Sequence, residues 1–218
     1  MLKIYFNRRD KLENLLNIEE KEEDILVLGF NGFDVINYKN ELSGKDSNLS
    51  MLAKYSKQGN KIVLSGAITD NYGIVRKSCL IAENGKLLGI SDMNLCLDKT
   101  PYSSGCGHRI YQTKSHRIGV LVGDDIIDVE SVKAMALLGA DVIICLISTE
   151  EKSQYSVLVR AYSYLFGLPV VLLTKDSVLA SDMNGEICGA SKNEESRIIV
   201  PIKKNYRLCQ LKRRGVKN

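Results

Sequence analysis

The sequence has little of what metal, nucleotide and membrane proteins usually need. Its 218 residues contain two histidines, and its six cysteines form no CxxC pair. Zinc sites normally require such clustering, so we predict neither a metal nor a cofactor. Apolar runs fall short of the roughly 20 residues that span a bilayer. Because the chain also lacks GxGxxG and Walker A sequences, we predict a cytoplasmic, soluble protein with reduced thiols and without a membrane partner or bound nucleotide.

Charge is distributed unevenly along the chain. The net charge is +4, but residues 203–218 carry seven Lys and Arg residues and no acid, which leaves 23 basic against 26 acidic residues elsewhere. A basic terminus is usually solvated, and no recognition motif accompanies this one, so we do not expect a nucleic-acid partner. We predict a single domain over residues 1–207 and a basic C-terminal tail over residues 208–218.

The central stretch predicts a strand, a turn, a helix and a second strand. Ile118–Val122 forms an apolar run that ends in a Gly-Asp-Asp turn. Apolar residues then recur at three- and four-residue spacing up to Gly139, as in an amphipathic helix. A second apolar run, residues 142–147, follows at once. This order indicates two parallel strands joined by a helical crossover.

The flanking regions add further strands, helices and two hairpins. Apolar runs predict strands at residues 2–6, 25–28, 62–64 and 169–174, and periodic spacing predicts helices from about Asp10, around Met51 and over residues 150–166. Asn84-Gly85 and Asn184-Gly185 predict tight hairpin turns. Residues 29–47 are polar and Gly/Asn-rich, which is typical of a loop, and Ser148 with Glu151 has the spacing of a capping box.

Strands alternate with helices twice, and each half contributes one antiparallel hairpin. This arrangement predicts an α/β fold of the α-β-β-α sandwich type, in which two mixed sheets pack face to face with helices outside.

The serial order of these segments resembles the nitrilase superfamily of carbon–nitrogen hydrolases. The resemblance runs from about Lys3 to Arg207 and rests on IVLSG, ENGKLLG, IGVLVGDDIIDVE, LLGAD, RAYSYLFGLPVV and MNGEICGAS. It implies the same sandwich, commonly dimerised through its outer helices into a four-layer stack. It also implies cleavage of amide or nitrile C–N bonds by a Glu, a Lys and a nucleophilic Cys.

The residues at the three corresponding positions are not those of the family. The nucleophile pattern I-C-x-D-x-x-x-P-E aligns with residues 122–130, where Asp125 and Glu130 match but Gly123 replaces the cysteine. The glutamate position is Phe30. The register after GKLLG, one residue short, puts Asp92 at the lysine position. We therefore predict no catalytic residue of this type, and a pseudoenzyme that serves as a binding or assembly subunit.

The alternative is an active hydrolase with a displaced cysteine nucleophile. Cys106 has His108 beside it in a glycine-flanked loop, and Cys145 lies within a predicted strand, where a buried inert thiol is expected. The acidic group Asp124, Asp125 and Asp128, with Asp92 nearby, could form a hard-cation site or an acid–base pair. Backbone hydrogen bonds at the turn for Asp125 and a helix cap for Asp124 are the better interpretation. Expected partners are a second copy of the chain, bound through the outer helices, and a possible small-molecule ligand in the relic pocket.

Overall fold

Two large β-sheets organise the computed structural model, which describes residues 1–8, 23–96 and 100–202 and the backbone of residues 206–209 and 213–217. The strands are β1 (Leu2–Asn7), β2 (Ile25–Leu28), β3 (Ile36–Asn37), β4 (Ile62–Asn71), β5 (Ile74–Glu83), β6 (Lys86–Asp92), β7 (Ile110–Gln112), β8 (Arg117–Val122), β9 (Val142–Leu146), β10 (Val170–Leu173), β11 (Val178–Ser181), β12 (Ile187–Ser191), β13 (Glu195–Val200), β14 (Tyr206–Cys209) and β15 (Arg213–Lys217). The helices are α1 (Tyr38–Ser43), α2 (Asn48–Gln58), α3 (Val129–Leu137) and α4 (Ser153–Phe166), with a 3₁₀ turn at Gly123–Ile127. The predicted helix from Asp10 lies outside the described residues.

Both sheets are mixed, as predicted. The first has the strand order β13-β1-β2-β4-β5-β6, with β3 against β4, and the second has the order β12-β11-β10-β9-β8-β7. In each sheet three parallel strands lie at the centre, β1, β2 and β4 in one and β8, β9 and β10 in the other. Antiparallel strands flank them, and both predicted hairpins are present. Because parallel strands end at the same edge, residues 28–31 and 122–125 are brought to one end of the sandwich.

Three apolar layers confirm the α-β-β-α sandwich. The middle layer joins the inner faces of the two sheets and includes Phe6, Val27, Leu64, Ile81, Val120, Ile144 and Leu173. A second layer packs the outer face of the β8–β11 region against α3 and α4, and a third packs the outer face of the first sheet against α2. Continuous apolar runs such as residues 25–28 and 142–146 are buried throughout because strands in this position are covered on both faces.

A buried arginine fastens the two sheets together at the end of β1. The Arg8 guanidinium donates to the carbonyl oxygens of Lys175 at 3.0 Å and Lys192 at 2.7 Å, and also to that of Asn193. Lys175 lies in the loop between β10 and β11 of the second sheet, and Lys192 and Asn193 lie in the connection from β12 to β13 of the first sheet. Burial lowers the pKa of Arg8, and the nearby carboxylates of Asp176 and Glu194 oppose that shift.

The segment predicted as a loop, residues 29–47, contains β3 and α1. Two of the Asn and Gly residues that suggested a loop, Asn37 and Gly44, are in fact the caps of α1. The Asn37 side chain accepts from the Asn40 N–H at 3.2 Å, and Gly44 ends the helix in the left-handed conformation, with φ of 73°. Capping residues and loop residues are the same types, so composition alone did not separate them.

Two helix starts also differ from the prediction. The α4 helix begins at Ser153 rather than near residue 150, and Ser148 and Glu151 form no capping box, since the Glu151 N–H donates instead to Asp176 at 2.7 Å. The cap of α3 is Asp128, not Asp124, because the 3₁₀ turn delays the helix. The Asp128 carboxylate accepts from the N–H groups of Glu130 and Ser131, both at 3.1 Å.

The backbone of β14 pairs with β15, so a strand pair spans the predicted boundary between domain and tail at residue 207, and that boundary stays a prediction. Within the described residues, no helix is both long and apolar enough to span a membrane.

The middle layer predicts which side-chain truncations lower the free energy of unfolding most. Ile144 is fully buried between the sheets, whereas Ile199, on edge strand β13, is 54% exposed. We expect Ile144→Ala to lower the free energy of unfolding by about 2–5 kcal/mol through lost burial and a cavity. The matched change Ile199→Ala should cost well under half as much, as measured by urea unfolding. Equal losses would contradict the assignment of this layer as the core.

Candidate functional site

The candidate site is the turn that follows β8. Gly123 has a φ of +59°, in the left-handed region where a side chain is strained, and it is buried. A Cβ added at this position would overlap the sulfur of Met93, which comes from the chain just after β6 in the other sheet. The turn at Gly123 is therefore covered by an apolar side chain from across the sandwich.

Phe30 lies at the end of β2, against the same inner face. Its ring packs over Gly66 of β4, where an added Cβ would come within 2.8 Å of the ring. Phe30 also packs against the core layer that contains Met93. Two of the three positions identified by the resemblance, Phe30 and Gly123, thus face the space between the sheets.

Asp92, the third predicted position, faces the other way. Its Oδ1 accepts from the Ser78 hydroxyl at 2.7 Å, and its Oδ2 lies 3.8 Å from Arg76. Ser78 also bonds to Thr69 at 2.8 Å, so the carboxylate belongs to a polar network on the outer face of the first sheet. The structure places Met93, one residue later, beside Gly123. Strand alternation was the available signal, because side chains two apart share a face.

The neighbouring Ser91 shows the same alternation. Its hydroxyl bonds to Tyr111 at 2.9 Å across to the second sheet, which places Ser91 on the inner face. Asp92 then turns outward and Met93 inward. The sequence did not identify Met93, because the alignment with the family pattern is one residue short after GKLLG and assigned the lysine position to residue 92.

Asp125 ties the turn to the segment that carries Met93. Its side chain is 1% exposed, and its Oδ1 accepts from the backbone N–H groups of Asn94 at 2.9 Å and Leu95 at 2.7 Å. Burial raises the pKa of Asp125, and the two backbone hydrogen bonds oppose the rise. Asp125 thus accepts backbone hydrogen bonds as predicted, but its donors lie in the segment that follows β6 of the first sheet.

The remaining acidic residues of the turn have separate surroundings. Asp124 is partly exposed, and Glu130 is exposed on α3 with its carboxylate 2.9 Å from the Lys133 ammonium. Among the described residues, no group of three His, Cys, Asp or Glu side chains could hold a metal ion. Within the turn, Asp125 accepts backbone hydrogen bonds and Asp128 caps α3.

Neither cysteine considered as a displaced nucleophile is set up for attack. Cys145 is fully buried, in the layer between the second sheet and its helices, and burial raises the pKa of its thiol well above the ordinary value. A buried thiol that resists ionisation is a poor nucleophile. Cys106 is exposed, but the described contact of the neighbouring His108 ring is with Asn94 rather than with the thiol.

The loop of Cys106 is held against the Met93 segment. The Gly105 N–H donates to the Met93 carbonyl at 2.8 Å, and the Gly107 N–H donates to the Asn94 Oδ1 at 2.8 Å. Asp125, the 92–95 segment and this loop therefore form a stack at one end of the sandwich. A groove of about 620 Å³ opens elsewhere, along edge strands β12 and β13.

The stack predicts a specific response to changes at Asp125. Asp125→Ala removes the acceptor of the part-buried Asn94 and Leu95 N–H groups, so we expect a loss of about 1–3 kcal/mol in the free energy of unfolding. Asp125→Asn keeps an acceptor oxygen and should cost much less. Urea unfolding of the three proteins measures the difference, and equal losses in both variants would contradict the role of the backbone bonds.

The pH dependence of the same variants provides a second readout. Burial raises the pKa of Asp125 in the folded state. The contribution of Asp125 to the free energy of unfolding is therefore largest below the ordinary aspartate pKa of about 3.9. It falls as the pH rises through the pKa that Asp125 has in the folded protein. The stability of the wild type relative to Asp125→Asn should therefore decrease from acid to neutral pH. An increase over that range would contradict the inferred shift.

Comparison with known proteins bears on the fold. No family model matches the chain, and no curated protein matches it. The crystal structure of a carbon-nitrogen hydrolase from Helicobacter pylori G27 matches with a TM-score of 0.74 at 15% identity, covering 90% of this chain and 87% of that one. An amidase from Nesterenkonia sp. AN1 matches with a TM-score of 0.75 at 13% identity, covering 94% of each chain. At these identities the likeness establishes the fold: this chain has the sandwich of known carbon–nitrogen hydrolase structures.

Proposed function

We propose that this chain is a divergent member of the nitrilase superfamily that no longer hydrolyses C–N bonds and serves as an assembly subunit. The observation that carries the proposal is the contact between Gly123 and Met93. In a mutant of the Nesterenkonia amidase, acrylamide adds to the active-site cysteine. In this chain the position that the resemblance assigns to the cysteine is Gly123, and the Met93 side chain fills the space into which a Cβ would extend.

The loss extends to all three chemical roles. Phe30 stands where the family has its glutamate, and it packs on Gly66. Neither Asp92 nor Met93 can supply the ammonium that stabilises a tetrahedral intermediate. Because such groups act as a unit, loss of one alone lowers turnover by roughly 10⁴ to 10⁶. The lack of the carboxylate, the ammonium and the thiol supports a site without C–N hydrolase activity.

Filling of the site by Phe30 and Met93 also favours assembly over ligand binding. The two apolar side chains lie on the inner face, where a small ligand in the relic pocket would have to enter. The described cysteines are free thiols, which fits the cytoplasmic location that we propose.

A substrate panel tests the proposal directly. We expect the purified protein to release no ammonia from small amides or nitriles, and a thiol-reactive probe to label Cys106 without any substrate protection. Cys106→Ser should leave the background level of ammonia unchanged. Ammonia release by the wild type that disappears in Cys106→Ser would establish a displaced nucleophile and overturn the proposal.

Exposed apolar residues on the outer helices support pairing with a second copy. On α3 and α4, side chains about half exposed or more include Leu137, Leu138, Val157, Tyr164 and Leu165. Exposed apolar residues concentrated on one layer mark an interaction surface. Among the described residues, the helices of the opposite outer layer present fewer of them. We therefore propose a homodimer that joins α3 and α4 to their counterparts.

Matched lysine substitutions test the dimer. Val157 on α4 is 65% exposed, and Leu42 on α1, in the other outer layer, is 82% exposed. We expect Val157→Lys to weaken dimerisation at least tenfold by burying a charge in the interface, while Leu42→Lys leaves it unchanged. Light scattering across a concentration series measures both. A monomeric wild type, or equal effects of the two substitutions, would contradict the proposed surface.

A further inference from the structure

Strand β13 is an edge of the first sheet, and its open side carries the inference. In the described strand order, β13 and β6 end the first sheet, while β12 and β7 end the second. Register shifts interrupt the ladders of β6 and β12, and β7 has three residues. Short length and bulges both hinder an edge from pairing with another chain. The β13 ladder has no such shift over its six residues, Glu195–Val200, so β13 is the edge most open to a further strand.

The hydrogen bonds to β1 identify the backbone groups that point outward from β13. The Arg8 N–H donates to the Glu194 carbonyl at 3.0 Å, one step beyond the last pair of the β1–β13 ladder. Hydrogen-bonded and non-hydrogen-bonded pairs alternate along an antiparallel ladder, so residues 196, 198 and 200 bond to β1. The N–H and C=O groups of residues 195, 197 and 199 therefore point to the open side of β13.

Two exposed charged side chains of β13, Glu195 and Arg197, lie on the same face of the sheet. The Tyr5 hydroxyl donates to the Glu195 carboxylate, and the Arg197 guanidinium lies 5.8 Å from the centre of the Tyr5 ring. Tyr5 belongs to the outer apolar layer of the first sheet, so both charges project on that outer side. A strand added along β13 meets both charges.

These charges select one register for a second copy of the same strand. In an antiparallel pair of two β13 strands, the outward residues must lie opposite one another. A pair centred on Glu195 or on Arg197 puts like charges directly opposite each other, which is destabilising. A pair centred on Ile198 brings Pro201, which has no N–H, opposite Glu195. A pair centred on Ser196 instead lays Glu195 of each strand opposite the partner's Arg197.

Ser196 itself fits the centre of such a pair. Its hydroxyl oxygen is buried and has no hydrogen-bond partner among the described residues. At the centre it faces the partner's Ser196 in a non-hydrogen-bonded pair, in which side chains are closest, and a cross-strand bond between the two hydroxyls supplies the missing partner. The groove of about 620 Å³ is lined by every residue from Glu195 to Ile199, so there is space along the strand.

We propose that β13 pairs antiparallel with β13 of a second copy about a two-fold axis at Ser196, which continues the first sheet from one chain into the other. Glu195 and the partner's Arg197 then face each other twice, while Arg197 keeps its contact with Glu23 within the chain. This surface is separate from the α3–α4 surface and does not rest on the loss of C–N hydrolysis. Two different two-fold contacts allow the chain to assemble beyond a dimer.

Paired charge reversals test the register. Glu195→Arg gives an edge with two arginines, and Arg197→Glu gives an edge with two glutamates. We expect each variant alone to self-associate through β13 about tenfold more weakly, because like charges then face each other. An equimolar mixture of the two should restore association, since every opposed pair is again a glutamate with an arginine. Analytical ultracentrifugation in the Val157→Lys background measures this contact apart from the α3–α4 contact.

Lys86→Glu, on the opposite edge strand β6, is the matched control and should leave association unchanged. A Val157→Lys protein that is monomeric at every concentration would overturn the proposal without any change in β13, so the test does not depend on the folding of the reversal variants. Reversals without effect, or a mixture that associates no better than its components, would also overturn it. Association that survives Val157→Lys but not the reversals would instead support β13 and count against the α3–α4 dimer.

Discussion

The hydrogen bonds of the buried Asp125 carboxylate join the two halves of the molecule at the end where the strands finish. Asp125 belongs to the second sheet, and its two donors, Asn94 and Leu95, follow the last hairpin strand of the first. Within the first sheet, the Met93 N–H donates to the Lys77 carbonyl at 2.8 Å, and the Gly105 N–H donates to the Met93 carbonyl at 2.8 Å. The Asp125 bonds add the link to the turn after β8, so this carboxylate fixes the 92–95 segment above Gly123.

Local signals were enough to predict most of the fold. Asn84-Gly85 and Asn184-Gly185 both form turns, because residues that tolerate positive φ specify a tight hairpin by themselves; φ is 47° at Asn84 and 80° at Gly85. Apolar runs likewise identified the central strands. By contrast, β13 pairs with β1 across nearly the whole length of the chain, and no local pattern specifies a partner so distant.

The site was harder to predict for a related reason. Which of two adjacent acids caps α3 depends on whether a 3₁₀ turn intervenes, and that is decided by packing rather than by residue type. Whether Asp92 or Met93 faces Gly123 depends on whether the alternation of side chains along β6 continues one residue beyond the end of the strand. A one-residue difference in register exchanges the two faces of a strand. Sequence could therefore locate the turn but not its covering side chain.

Gly123, Phe30 and Met93 carry no nucleophilic, basic or ammonium group, but the space around them is filled. A glycine at each of positions 66 and 123 accepts a large apolar side chain from another element, so volume lost at one residue is regained at its neighbour. Close packing of protein interiors demands such compensation.

The acidic turn after β8 has a consequence for reading sequence signatures. Asp125 satisfies backbone donors of the opposite sheet, while Asp128 caps the following helix. Both tasks are independent of the side chain at position 123, so the needs of folding alone can account for acidic residues at positions 125 and 128. Acidic residues around such a turn therefore report on its shape, and their presence in a sequence is no evidence for a nucleophile beside them.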